Sequence, residues 1–157
     1  MRFILYPGTA ALDVFALLAA LVVRALWGVS LTLSRGALVV LLRPSARLAA
    51  PGAHWLGLCL GHVIFVAVPR ADVEAHERVH VEQFEAAGLL GLLIAVVVAL
   101  MGWSPVTSAA ALALWVLFPL ATYGAGAVAA WLRGEQLYRG NHLEEAAYDA
   151  TDDEVLR

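Results

Sequence analysis

The longest stretch of this chain without a charged residue constrains its fold more than any other feature. Between Glu85 and Arg133 lie 47 consecutive residues that carry no formal charge. As a helix, such a run would be about 70 Å long, which is enough to cross a hydrocarbon core of roughly 30 Å twice. Gly-Trp-Ser-Pro at 102–105 interrupts the run near its middle and includes a tryptophan of the kind found at membrane interfaces. The pattern therefore predicts a transmembrane hairpin over residues 88–132.

The composition of the whole chain also favours a membrane protein. Of its 157 residues, 62% are hydrophobic and 15% are charged, whereas a soluble domain is nearer half apolar and a quarter charged. Intrinsic disorder is excluded because it requires low hydrophobicity and high charge. A net charge of −3 offers no basic stripe for phosphates, so we expect no nucleic-acid partner. The expected partner is the lipid bilayer, and the length is that of one domain over residues 1–157.

A second apolar stretch, residues 9–33, precedes the hairpin. Asp13 and Arg24 interrupt it, but it is long enough to form an N-terminal membrane helix in which the arginine reaches toward the interface. The alternative is an amphipathic helix that packs against the hairpin. With the first interpretation, the chain is a mainly α membrane protein with about three transmembrane helices.

The segment between these membrane parts, residues 34–69, has the pattern of β-structure. Two short apolar runs at 34–42 and 57–68 are rich in branched and aromatic residues, and arginine, proline and glycine punctuate them. Such runs predict a small element of two strands, which would form an antiparallel ribbon. His62 lies in the second run, where we expect a packed or hydrogen-bonded histidine.

A helix with an H-E-x-x-H motif follows the ribbon. Asp72 is a good N-cap residue, so we expect this helix to cover residues 72–87. Residues four apart share one helical face, and the imidazoles of His76 and His80 can therefore reach the same ion. Zinc chemistry needs imidazole ligands, an open coordination position and a carboxylate that takes a proton from water. The motif predicts a Zn²⁺ site with both histidines as ligands and Glu77 as the general base.

A site of this kind needs a third protein ligand, and the segment after the hairpin offers candidates. Two membrane crossings separate the motif from residues 135–150, so both lie on the same side of the membrane. Glu144 and Glu145 are the carboxylates best placed to bind the ion from a helix in this segment, and His142 is a further candidate. The two glutamates differ by about 100° around a helix.

The order of these elements resembles a known family. An H-E-x-x-H helix, an apolar hairpin and a glutamate-bearing helix are similar to the membrane-embedded gluzincin metallopeptidases, which include the CAAX prenyl protease and the membrane heat-shock protease. The residues at 76–83, His-Glu-Arg-Val-His-Val-Glu-Gln, are also similar to the H-E-x-x-H-V-x-Q form of small bacterial zincin-like proteins. The resemblance implies a zincin-like fold in a bacterial inner membrane. It also implies that the strand before the motif, here within 57–68, pairs with an extended substrate.

The resemblance assigns the third ligand in two ways. In the bacterial proteins, an Asn-Pro-Phe-Glu-x-x-Ala segment supplies the glutamate. The matching residues here, 141–147, read Asn-His-Leu-Glu-Glu-Ala-Ala and select Glu144, with histidine and leucine in place of proline and phenylalanine. The heat-shock-protease pattern Glu-x-x-x-Asp would select Glu145 instead, with Asp149 orienting a histidine. Glu144 is the ligand that we expect.

The function implied by the resemblance is that of a zinc-dependent membrane metallopeptidase. It would hydrolyse a peptide or membrane-protein substrate with a zinc-bound water and Glu77 as general base. Asn141 and Asp149 are the expected partners that fix the histidine tautomers. The oxyanion of the reaction needs a further donor, and the nearby candidates are Tyr138, Arg139, His142 and Tyr148. The alternative is a non-catalytic zinc-binding membrane protein with a scaffolding or regulatory role, which would have no use for Glu77.

Arginines indicate the side of the membrane that carries the predicted site. The turn at 102–107 has no charge, whereas arginines flank the site on both sides in the sequence. They are Arg35, Arg43, Arg47, Arg70, Arg78, Arg133 and Arg139. The positive-inside rule then predicts a cytoplasmic site, with the N-terminus outside if residues 9–33 span the membrane.

Overall fold

The computed structural model describes residues 6–42 and 56–151, so Arg43 and Arg47 lie outside the described residues. The described chain is mostly helical. Its elements, in chain order, are α1 (Ala10–Trp27), β1 (Ser30–Ser34), β2 (Ala37–Leu41), β3 (Gly57–Leu60), β4 (Val63–Val66), α2 (Ala71–Leu100), α3 (Pro105–Leu132) and α4 (His142–Thr151).

Three of these helices, α1, α2 and α3, are long and apolar enough to cross a membrane. This agrees with the prediction of a mainly α membrane protein with about three transmembrane helices. α2 and α3 form the apolar hairpin, and Ser104 begins α3 by accepting a hydrogen bond from the backbone N–H of Thr107 at 3.1 Å. The motif helix and the first hairpin helix, expected to meet near residue 88, are one continuous helix, which passes through Gly88 without a break.

The N-terminal helix ends at Trp27 rather than at residue 33. Gly28 has a φ of 61° and donates its backbone N–H to the carbonyl of Arg24 at 2.8 Å, which closes the helix in the left-handed conformation that glycine favours. The residues that follow form β1. Gly28 lies inside the apolar stretch 9–33, so the helix end was not expected there from the sequence.

The predicted two-stranded ribbon is wrong, because the described chain has a four-stranded sheet in the order β1-β2-β4-β3. The β1–β2 and β3–β4 pairs are antiparallel, and β2 pairs with β4 in parallel. The run at 57–68 folds back on itself because Gly61 takes a φ of 57° and makes a tight turn with His62. One apolar run therefore gives two strands.

The sheet packs against α1 on one face and α2 on the other. All four residues of β4 are buried, and they alternate between the faces as a strand requires. Val63 and Phe65 join the hydrophobic cluster that contains Ala16 and Ala20 of α1. Ile64 and Val66 join a second cluster, which contains Val73, Val81 and Phe84 of α2. This packing sets β3, an edge of the sheet, beside the motif half of α2.

A buried polar cluster ties α1 to the β3–β4 turn and to α2. His62 is fully buried, as expected for a hydrogen-bonded histidine, and its Nδ1 lies 3.1 Å from Asp13 Oδ2. Its Nε2 lies 3.0 Å from Glu85 Oε1, and its backbone N–H donates to Asp13 Oδ1 at 2.7 Å. Burial alone would lower the pKa of His62, but the bonds to Asp13 and Glu85 outweigh it and raise the pKa.

Candidate metal centre

Two helices carry the three side chains that meet at the candidate centre. His76 and His80 lie one turn apart in the first half of α2, and Glu144 lies in the first turn of α4. The exposed fractions of the three residues are 3%, 5% and 1%. Asn141 precedes α4 and orients its first turn, because its side-chain oxygen accepts the Leu143 N–H at 3.1 Å and its amide donates to the Tyr123 carbonyl at 3.2 Å. The carboxylate of Glu144 consequently faces α2.

The two histidines and Glu144 form a group that could hold a metal ion. One ligand atom from each residue lies within 4.8 Å of the others. Oε2 of Glu144 lies 3.2 Å from His76 Nε2, and Oε1 lies 3.3 Å from His80 Nε2. Burial alone would raise the pKa of Glu144, but the hydrogen bond with His76 and the nearby ring of His80 outweigh it and hold the pKa well below its usual range. Glu144 is therefore an ionised carboxylate, the form that binds metal ions.

Unpartnered ring nitrogens also fit a bound ion. In the part of the chain that the structure describes, His76 Nδ1 and His80 Nε2 are buried without a hydrogen-bond partner. His80 Nε2 is close to Glu144 but makes no well-directed hydrogen bond with it. A buried polar atom without a partner costs about 1–3 kcal/mol. An ion bound at His80 Nε2 would remove that cost there.

Gln83 contacts His80 in the position where sequence analysis expected Asn141 or Asp149. The Gln83 side chain lies 2.8 Å from His80 Nδ1 and donates to the Leu143 carbonyl at 2.9 Å. Asn141 instead caps α4, and Asp149 is exposed. The spacing of three residues between His80 and Gln83, which places both on one helix face, was the signal in the sequence.

Three tyrosines surround the carboxylate of Glu144. The hydroxyl of Tyr123, in α3, donates to Glu144 Oε1, and the ring of Tyr148 lies 4.6 Å from that of His76. Burial, with Glu144 nearby, raises the pKa of Tyr138, so its hydroxyl stays protonated and can donate. Tyr138 and Tyr148 were expected near the site from the sequence, whereas Tyr123, one of the few polar side chains within the charge-free run, was not.

The other two candidates for the third ligand, Glu145 and His142, lie away from the three converging side chains. Glu145 is exposed and lines a different cleft, of about 340 Å³, with Arg139 and Asp149. His142 is exposed and lies against Gly126 of α3. Of the two adjacent glutamates, Glu144 is therefore the one that the structure places beside the histidines.

Glu77 lies at the wall of a cavity next to the three side chains. Its exposed fraction is 4%, and a Cβ atom added to Gly57 would lie 2.5 Å from its Oε1, so the backbone of β3 passes directly over the carboxylate. The cavity has a volume of about 190 Å³. Its lining includes all four residues of β3 and the side chains Glu77, His80, Phe84, Leu120, Tyr123, Tyr138 and Glu144.

The cavity also borders a strand edge that points away from the sheet. β3 is the last strand in the sheet order, and among the described residues β4 is its only partner. The carbonyl of Leu56 accepts the N–H of Ala67 at 2.8 Å, and hydrogen-bonded pairs alternate along an antiparallel ladder. The backbone groups of Gly57 and Cys59 therefore point away from β4, where an added strand could pair with them.

Comparisons with known proteins give this chain no family. It matches no protein-family model, no curated protein and no solved structure. The resemblance to gluzincin metallopeptidases accordingly stays a prediction. Function has to be inferred from the site itself, where the imidazole of His80, the carboxylates of Glu77 and Glu144 and the strand β3 line one cavity.

Proposed function

We propose that this protein is a zinc-dependent membrane metallopeptidase of the gluzincin type, which hydrolyses peptide bonds in a peptide or membrane-protein substrate. The observation that carries the proposal is the position of Glu77. Its carboxylate lines the same cavity as His80 and Glu144 and lies under the backbone of an edge strand. A metal-binding site alone needs the ligands, whereas hydrolysis also needs a base beside them.

The donor set favours zinc as the metal. His76, His80 and Glu144 would hold it, and two histidines with one carboxylate are a ligand set of catalytic zinc sites that leave one position open. A zinc ion held there would act as a Lewis acid and would lower the pKa of a bound water toward neutrality. The exposed Glu145 remains the weaker candidate for the third ligand.

The remaining residues divide the work of hydrolysis. Glu77 accepts the proton of the attacking water and then hands it to the leaving amine. Tyr138 lines the cavity with a protonated hydroxyl, and we assign to it the hydrogen bond that stabilises the developing oxyanion. The outward backbone groups of Gly57 and Cys59 bind an extended substrate by strand addition, which sets its scissile bond beside the base.

The site belongs, in this proposal, to the cytoplasmic face of a bacterial inner membrane. The support is the distribution of charge along the hairpin. Arg70, Arg78 and Arg133 flank the half that carries the site, whereas the turn between α2 and α3 has no charge.

A non-catalytic zinc-binding membrane protein with a scaffolding or regulatory role is the second candidate. The observation that favours it is the cavity volume of about 190 Å³, because ligand pockets usually measure about 300–1,000 Å³. In that case Glu77 would be dispensable for the function of the protein, so a variant at this residue distinguishes the two candidates.

The test is the Glu77→Gln variant, compared with the wild type on a mixture of synthetic peptides and analysed by mass spectrometry. We expect zinc to stay bound and cleavage to fall by about 10²–10⁴-fold, the usual contribution of a general base. Glu82→Gln is the matched control, since Glu82 is exposed on the same helix. A Glu77→Gln protein that cleaves as fast as the wild type, or a zinc-loaded wild type that cleaves nothing, would contradict the proposal.

A further inference from the structure

We propose that Gln83 is a positioning residue, which fixes the tautomer of His80 and joins the two helices that carry the metal ligands. The inference rests on the metal site of the proposed function but not on peptide hydrolysis. It concerns the last residue of the H-E-x-x-H-V-x-Q pattern at 76–83, to which the resemblance assigned no role.

The hydrogen-bond partners of Gln83 determine how its amide is oriented. Its Nε2 lies 2.9 Å from the carbonyl oxygen of Leu143, and a carbonyl can only accept. The amino group of Gln83 must therefore face Leu143, and its oxygen must face His80, 2.8 Å from Nδ1. Since that oxygen also can only accept, the proton of a neutral His80 ring lies on Nδ1.

This tautomer prepares the other nitrogen of His80 for a metal. With the proton on Nδ1, Nε2 keeps its lone pair, and Nε2 is the atom 3.3 Å from Glu144 Oε1. The same atom is buried without a hydrogen-bond partner among the described residues. Gln83 thus holds the ring so that a free lone pair faces the carboxylate of the third ligand.

The second bond of Gln83 reaches the other ligand helix. Leu143 directly precedes Glu144, so the amide connects α2 with the first turn of α4. His76 lacks a comparable partner, because its Nδ1 has none among the described residues. We therefore expect Gln83 to act on the affinity for the metal through His80 and to leave the geometry of His76 unchanged.

The experiment measures zinc affinity of the full chain in detergent, by competition with a chromophoric chelator. Three variants separate the contacts: Gln83→Leu loses both bonds, Gln83→Glu keeps an acceptor for His80 but cannot donate to Leu143, and Glu82→Gln is the exposed neighbour as control. Loss of a partner of a metal-bound histidine typically weakens metal binding by about 10–100-fold. We expect that loss in Gln83→Leu, a smaller loss in Gln83→Glu and wild-type affinity in Glu82→Gln.

A second readout separates positioning from a general loss of structure. Cobalt in place of zinc reports the ligand geometry by its visible absorption, and we expect a changed spectrum in Gln83→Leu at unchanged helix content. If that variant does not fold, Gln83→Glu alone decides: affinity between those of the wild type and His80→Ala supports the inference, and affinity as low as that of His80→Ala overturns it.

The inference would also be overturned by wild-type affinity in Gln83→Leu, by equal losses in both Gln83 variants, or by the absence of zinc from the wild type. Failure of the proposed function looks different. A protein that binds zinc with the expected order of affinities but cleaves no peptide would support the role of Gln83 and contradict the peptidase.

Discussion

Glu144 is the residue on which the candidate centre depends most. Its Oε2 meets His76 Nε2 at 3.2 Å, while its Oε1 accepts the hydroxyl of Tyr123 and lies beside His80. A buried ionised carboxylate without partners would strongly destabilise the folded protein. The two histidines and Tyr123 therefore stabilise the ionised form of Glu144. The neighbouring Glu145 is exposed and has no such role in this group.

This difference predicts that alanine substitutions at the two adjacent glutamates have different effects on zinc affinity. Glu144→Ala should weaken zinc binding by more than the roughly 10–100-fold that loss of an outer partner costs, because a ligand is removed. Glu145→Ala should leave the affinity unchanged and serves as the control. Zinc titration of the two purified variants measures the difference, and the reverse order would move the third ligand by one residue.

His62 gives a prediction on pH at the same scale. Its pKa is raised in the folded protein, so its contribution to stability is fully present below the unfolded pKa of about 6.5 and is lost as pH rises through the raised folded value. The melting temperature in detergent should therefore fall across this window in the wild type. The slope should be smaller in His62→Gln, and equal slopes in both proteins would show that protonation of His62 does not stabilise the fold in this way.

At the scale of elements, β3 connects the fold to the site. It is an edge strand, and its backbone at Gly57 passes over Glu77. A side chain at this position would push the carboxylate away from the cavity without touching the histidines. Glycine is required here for close approach, not for its conformation.

Gly57→Ala should accordingly lower peptide cleavage about tenfold or more, since even a small misplacement of a catalytic group is costly. The zinc content should not change, because no ligand moves. Gly124→Ala is the matched control, as an added Cβ there meets no atom within 4 Å. Equal turnover of Gly57→Ala and the wild type, measured with the same peptide, would show that the close approach of β3 to Glu77 does not affect the reaction.

How well these elements could be predicted depends on how far apart the interacting residues lie in the sequence. The absence of charge identified the apolar hairpin, and the spacing of four identified the face of His76 and His80, because both signals are local. The turn at Gly61 and His62 lies inside a run that was interpreted as a single strand, so one strand was expected where two form. Tyr123 and the second contact of Gln83 were missed because their partners, Glu144 and Leu143, lie far away in the sequence. The contact of Gln83 with His80 is local, and its spacing of three residues could have indicated it.

At the scale of the whole molecule, α2 joins two different environments. Its 30 residues make a helix of about 45 Å. The first half carries the motif, the ion-pairing residues and the contacts with the sheet, whereas the second half, after Glu85, has no charge. The three candidate spans are consistent with a membrane protein in which the site lies at one end of the hairpin.

Single-cysteine labelling tests the proposed orientation. Cys59, the one native cysteine, is buried and should give little background. Met101→Cys, at the exposed end of α2, should react with a membrane-impermeant maleimide in intact spheroplasts, and Gln136→Cys should react only after lysis. The opposite pattern would invert the orientation, and labelling of both before lysis would contradict a spanning hairpin.

The central claim is that His76, His80 and Glu144 bind zinc. The most direct test is elemental analysis of the detergent-purified protein beside a His76→Ala/His80→Ala variant. We expect about one zinc ion per chain, as for a site with three protein ligands, and its loss in the double variant. A wild-type protein that holds no zinc, even after reconstitution with zinc at neutral pH, would contradict it.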